Sequence, residues 1–155
     1  MAISRWAAAV DALIAALQAD ATLATVPAEV IDGPPTGQVY RDVAVYVGFR
    51  GDEDDPTAGT VQQEWRTVSP DAKRDEVLTI DCIAEAVRGD NNMALARTAA
   101  TAALGAVESA LRADPDLGLA DVAWLEVSDS SVQQFRDADG AVCRHLFTVT
   151  VKSVI

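Results

Sequence analysis

Asp75-Glu-Val-Leu-Thr-Ile-Asp-Cys-Ile-Ala-Glu-Ala-Val87, Arg88-Gly-Asp-Asn-Asn92 and Met93-Ala-Leu-Ala-Arg97 follow one another without a gap, and their reading decides the fold. In the first segment Val77, Thr79, Asp81 and Ile83 alternate with Leu78, Ile80, Cys82 and Ala84. A period of two is that of a pleated strand. From Met93 the period lengthens: Met93, Ala96, Ala100, Leu104, Val107 and Leu111 fall in one arc of a helical wheel. Asp90, Asn91 or Asn92 supplies a capping side chain at the start. Pro115 forbids continuation, so the helix is predicted to end near Ala113. A neighbouring row, Leu95, Ala99, Ala102, Ala106 and Ala113, is made mostly of small residues. Such a row admits close approach of a second backbone, and it is equally what high alanine usage in a helix produces.

Working outward, residues 4–20 form a first amphipathic helix on Trp6, Val10, Leu13, Ile14 and Leu17, with Ser4 as a candidate cap. A loop over Ala21 to Ala28 precedes a short strand, Glu29 to Asp32, and Gly33-Pro-Pro-Thr-Gly37 is turn chemistry. Asp42 to Phe49 is a strand with Val43, Val45, Val47 and Phe49 on one face and Ala44 and Tyr46 on the other. Arg50 to Gly59 is a charged loop with no apolar anchor, expected to be exposed and mobile. Thr60 to Val68 alternates with polar groups on both faces, the mark of an edge strand or hairpin arm, and Ser69 to Arg74 turns the chain. Beyond the long helix come strands at Val122 to Val127, Val132 to Asp137 and Ala141 to Val154, the last two joined through Asp139-Gly140 as a hairpin. The order α-β-β-β-β-α-β-β-β predicts an α+β fold over residues 1–155. A mixed, mostly antiparallel sheet carries two helices in a single domain.

The chain has 155 residues, half of them apolar, enough for a core without staples. Its 24 acidic against 12 basic residues give a formal charge of −12. A field of that sign repels phosphates and disfavours sequence-reading of nucleic acid. No apolar run reaches the roughly 18 residues of a membrane span, and the first residues lack the order of a signal peptide. Cys82 and Cys143 lie in separate strands with no metal-motif spacing, which predicts buried thiols without a disulfide.

Little in the chain promises catalysis. The single histidine, His145, shares a strand face with Cys143 and Phe147, the setting of a satisfied core residue. A Cys143–His145 nucleophile would need an orienting third group and oxyanion donors that no motif supplies. Asp52-Glu-Asp-Asp55 fails as an EF-hand, because Thr57 stands where glycine is required and Gln63 where glutamate is. Asp137-Ala-Asp-Gly140 reads as a turn. No phosphate-binding, dinucleotide or hydrolase motif is present. No enzyme activity and no cofactor are expected.

The order of several phrases resembles the tail terminator (tail completion) family of long-tailed bacteriophages, especially those infecting high-GC actinobacteria. They are Val30-Ile-Asp-Gly-Pro34, Val45-Tyr-Val-Gly48 before the acidic loop, Glu76-Val-Leu-Thr-Ile-Asp-Cys82, Ala94-Leu-Ala-Arg97, Val107-Glu-Ser-Ala-Leu-Arg112 with Asp116-Leu-Gly118, Gln133-Gln134, and Phe147-Thr-Val-Thr-Val151. The resemblance spans nearly the whole chain. It implies a structural virion protein, without catalytic residues, at the head–tail junction. There a ring, usually of six copies, caps the tail tube made of the major tail tube protein and stops its polymerisation. The ring also meets the head-completion or connector protein, and DNA passes through its lumen without sequence-specific binding. The alternatives are another neck component, such as a head-closure or adaptor protein, or a small ligand-binding domain.

Closed rings are built from heterologous contacts, in which one patch meets a different patch on the next copy. Three stretches are candidates for contact with a neighbouring copy, the tube or the connector. They are the helix row Ala99, Ala102 and Ala106; the polar strands, with Gln62, Glu64 and Arg66 on one and Gln134 and Arg136 on the other; and the acidic loop, with Arg50, Asp52, Glu53, Asp54 and Asp55. Carboxylates lining a channel would keep DNA from adhering to its wall.

Overall fold

A computed structural model describes residues 3–36, 41–66 and 73–155. Two short helices, α1 (Trp6–Gln18) and α2 (Ala21–Thr25), precede strands β1 (Glu29–Asp32), β2 (Val43–Val47), β3 (Gly59–Trp65) and β4 (Arg74–Arg88). The long helix α3 (Met93–Ala113) comes next, and then β5 (Val122–Asp137) and β6 (Gly140–Val154). The α+β class with a mixed, mostly antiparallel sheet is as expected. The β1–β2 pair is parallel and every other pair antiparallel.

β4 is the spine. Along one side it pairs with β6 for its whole length, from Asp75↔Val154 to Arg88↔Ala141. Along the other side it is shared: β3 takes residues 74–80 and β2 takes residues 82–86. The sheet therefore runs β1-β2-β4-β6-β5 at one end and β3-β4-β6-β5 at the other. Gly59 sits where the two partners divide. A Cβ there would stand 1.9 Å from the Thr79 carbonyl oxygen and 3.0 Å from Trp6 Nε1. That close approach lets the Trp6 indole donate to the same carbonyl at 3.1 Å, tying α1 to the spine.

The face under α3 carries the main core. Leu78, Ile80, Cys82, Ala84 and Ala86 from β4 meet Cys143, Phe147, Val149 and Val151 from β6. Ala96, Ala100, Ala103, Ala106, Val107 and Leu111 close down on them from the helix. The predicted stripe is thus right in direction, with the helix rolled so that Ala103 and Ala106 are buried and Leu104 is only half-buried. Asn92 is the cap, its side chain accepting from Leu95 N–H at 3.1 Å.

Several expectations are corrected. The predicted loop Ala21 to Ala28 begins with α2, because Asp20 accepts a hydrogen bond from Leu23 N–H at 2.8 Å and caps a turn that buries Leu23. Ser4 accepts from Trp6 N–H at 3.1 Å, but the capping position itself falls on Arg5, which makes no side-chain cap. The strands predicted at Val122 to Val127 and Val132 to Asp137 are one, β5, whose register shifts between Val122 and Trp124 and again between Val127 and Asp129 without breaking the pairing with β6. An irregularity absorbs an extra residue and interrupts the alternation while leaving the ladder intact. Phe49 leaves the valine face: Gly48, at φ +80°, turns the chain, and Phe49 packs with Ala44, Tyr46 and Ile83 on the opposite side. The expectations for Gly37, for Thr67 and Val68 and for the turn at Ser69 to Ala72 lie outside the described residues.

Candidate assembly interfaces

The acidic loop is not the free loop its composition suggested. Phe49 anchors its start, and Gly51 (φ +91°) lies so close to the second apolar cluster that a Cβ would come within 2.9 Å of Ile83 Cδ1. Arg50 organises the rest of the loop. Its guanidinium donates to Asp81 from Nε at 3.1 Å and Nη2 at 2.8 Å, and reaches Asp55 at 3.3 Å. Asp55 accepts from Thr57 N–H and Asp52 from Asp54 N–H, two Asx turns that fold the acidic run on itself. Hydrogen bonds from Thr57, and then the Arg50 charge, hold the Asp55 carboxyl below the usual carboxylate range. Asp52, Glu53 and Asp54 remain exposed on the sheet face away from α3. These bonds give the loop a defined path over that face.

β3 is exposed along almost its whole length. Gln62, Glu64 and Arg66 point to the same side as the acidic loop. Arg66 clamps Asp75 across the hairpin, Nε lying 2.7 Å from each carboxylate oxygen, and this holds the Asp75 pKa down. The opposite row, Val61, Gln63 and Trp65, faces the α3 side. Trp65 is 60% exposed and Val61 47% exposed, and the Arg74 guanidinium stacks over the indole at 4.8 Å. Sequence reading classes this strand as polar and passes over Trp65. A tryptophan on an otherwise polar strand is the available signal.

At the far edge of the sheet, β5 pairs only with β6 among the described residues, and residues 128–134 are all exposed. Gln134 receives a long contact from Arg97 at 3.4 Å, and Arg136 is exposed near the hairpin tip. The helix row divides: Ala106 is buried in the core, Ala99 half-buried and Ala102 exposed, so it does not form one open stripe. The candidates therefore fall into two groups. Arg50, Asp52, Glu53, Asp54, Asp55, Gln62, Glu64 and Arg66 occupy the face away from α3, whereas Gln134, Arg136 and the alanines belong to the α3 side.

Chemical groups elsewhere are held in structural roles. Burial alone would push the Glu76 carboxyl up, but it accepts from Arg5 N–H at 2.7 Å, Gln63 Nε2 at 2.5 Å and Ser153 Oγ at 3.3 Å. These bonds prevail and the pKa is lowered. Glu76 thereby ties the start of α1 to β3, β4 and β6. His145 contacts Thr101 Oγ1 at 3.0 Å, linking α3 to β6, and desolvation lowers its pKa. Burial pushes the Cys82 thiol up to about 12 and raises that of Cys143, the opposite of an activated nucleophile. Among the described residues no group of three or more His, Cys, Asp or Glu side chains is placed to hold a metal ion. No helix among them is long and apolar enough to cross a membrane.

Among solved structures, the chain is similar to one from the virion of a native gene transfer agent particle. The two share 21% identity over 94% of each chain, with a TM-score of 0.58. At that identity the likeness is one of fold. No family model matches the chain, and no curated protein does.

Proposed function

We propose that this chain is a structural protein of a phage-like virion, without catalytic activity, and that it acts as the tail terminator. About six copies close into a ring on the finished tail tube, block addition of further tube subunits and present the opposite face to the head connector. DNA passes through the lumen without being read. The observation that carries the reading is the fold likeness to a virion chain over almost the full length of both. The edges of the sheet fit it: β3 and β5 have no further strand beside them among the described residues, although the Pro115 carbonyl accepts from Leu125 N–H at 2.7 Å near the start of β5, and heterologous ring contacts need two different edges. The fixed acidic turn, with Asp52, Glu53 and Asp54 outward, suits a wall that repels phosphate or a contact with tube or connector.

The test is tube assembly. Purified chain added to polymerising tail tube protein of the same particle is expected to arrest elongation and to appear as a cap at one tube end in negative stain. Tubes that grow to the same length distribution with and without it would overturn the terminator role. The fold likeness also accommodates a head-closure or adaptor ring, which would bind the connector and leave tube growth unchanged.

A further inference from the structure

Exposed apolar side chains gather at one edge of the sheet. Among the described residues the large ones are Ile3, Val61, Trp65, Leu95 and Val132, and the first three are neighbours. Gln63, between Val61 and Trp65 on the α3-side row of β3, donates to the Ile3 carbonyl at 2.7 Å and so brings Ile3 beside them. The main chain along this row is open. Arg66 N–H donates to Lys73 O at 3.0 Å, which makes Arg66–Lys73, and by alternation Glu64–Asp75 and Gln62–Val77, the hydrogen-bonded pairs of the hairpin. The N–H and C=O groups of Val61, Gln63 and Trp65 therefore point away from β4, and among the described residues nothing bonds to them. Edge strands are ordinarily blunted by lysine, proline or a bulge. From Gly59 to Trp65 β3 has none of these: its pairing with β4 shows no register shift, and Glu64 and the clamped Arg66 lie on the other face. The remaining edges are less open, since Pro115 occupies part of β5, whose register shifts twice, and β1 has only four residues.

The row is also its own complement. The exposed run Thr60 to Arg66 has Gln63 at its middle. Two copies laid antiparallel about Gln63 set Val61 of each opposite Trp65 of the other, an aromatic–β-branched pair made twice, and bond every outward main-chain group from Val61 to Trp65. On the opposite face Gln62 then stands against Glu64 and Thr60 against Arg66, so no like charges are directly opposed. We infer that the occupant of this edge is a second copy of the same chain, bound through β3 about a two-fold axis at Gln63. Such a contact is isologous and closes at two copies. Seven paired residues span about 23 Å, which places the contact among weak interfaces of less than about 1,200 Å². The pairing goes beyond the terminator reading and does not rest on it. It describes free copies, and it must open before the same edge can enter a ring.

Sedimentation velocity of the full-length chain over a concentration series reads the association, and a dimer that dissociates on dilution is expected. Disulfide trapping reads the register, since the native thiols Cys82 and Cys143 are buried. Full-length Gln62→Cys protein mixed with full-length Glu64→Cys protein and oxidised should give a covalent dimer, because the two positions form a close, non-hydrogen-bonded pair across the axis. Neither protein alone should link as completely. Trp65→Ser is expected to weaken association by about thirtyfold, the equivalent of a 2 kcal/mol anchor. Val61→Pro should abolish it, because proline removes an outward N–H while leaving the bonds to β4 in place. Circular dichroism confirms that each variant is folded. A chain that stays monomeric throughout the series overturns the inference. So does a dimer that forms without the Gln62–Glu64 cross-link, or one that survives Val61→Pro in a folded protein. Arrest of tube growth by a chain that never dimerises sustains the terminator and overturns this pairing, whereas a cross-linked dimer that leaves tube growth unchanged does the reverse.

Discussion

Glu76→Gln is nearly isosteric and removes only the charge and one acceptor, so its cost can be worked from the contacts of a side chain 1% exposed. The Arg5 N–H and Ser153 hydroxyl bonds to Oε1 survive as neutral ones, each weaker by about 1 kcal/mol than a bond to a carboxylate. The replacement amide meets the Gln63 amide donor, 2.5 Å away from Oε2 in the native protein, and loses that bond. Rotating Gln63 would relieve the clash but sacrifice its acceptance from Arg74 at 2.9 Å. Gln63 is exposed and water offsets part of the loss, leaving about 1 kcal/mol more. The sum is roughly 3 kcal/mol at pH 7, or roughly 6–12 °C in Tm for a domain of this length. Urea unfolding followed by tryptophan fluorescence and circular dichroism measures it. The pH dependence carries the sign: a carboxyl whose folded pKa is depressed contributes stability above its unfolded pKa, and that contribution is lost as pH falls through the folded value. The gap between wild type and variant should therefore be full at pH 7 and close in acid. A gap below about 0.5 kcal/mol at pH 7, or one constant down to pH 3, would show that the network does not hold α1 to the sheet.

Gly59→Ala places a methyl 1.9 Å from the Thr79 carbonyl oxygen, so β3 must shift and the Trp6 indole bond is strained. Loss of about 1–3 kcal/mol in denaturant unfolding is expected, in the range of other overpacked sites; an unchanged midpoint would contradict the close approach. Both thiols should resist iodoacetamide at pH 8 in the native protein and react fully in denaturant, because burial raises both pKa values. Rapid native labelling of either would refute the packing around it.

The spine strand, the long helix and the final hairpin were legible because each carries a sustained period, and hydrophobic periodicity is the strongest signal a single sequence offers. The bulged strand was not. At residues 127–129 of β5 an extra residue shifts the alternation, and the run Ser128-Asp-Ser-Ser131 imitates a turn by composition. The short helix α2 escaped because its five residues are fixed by the Asp20 cap and by burial of Leu23, neither of which makes a period. The acidic loop looked unanchored for a different reason. Its anchor is Gly51 against Ile83 and Leu146, a contact made by a missing side chain, and its organiser Arg50 pairs with Asp81 on another strand. Of the candidate contact residues, the strand and loop positions other than the half-buried Asp55 are exposed. The alanine row illustrates the limit of wheel reading, since a modest roll of the helix decides whether Ala106 or Leu104 enters the core.

The central claim is that copies of this domain close into a ring at the head–tail junction of a particle. Cryo-electron microscopy of intact particles measures that most directly. Density for this fold in a closed ring between connector and tail tube is the predicted result. Particles that lack the chain, or that hold it away from the neck, would contradict the account.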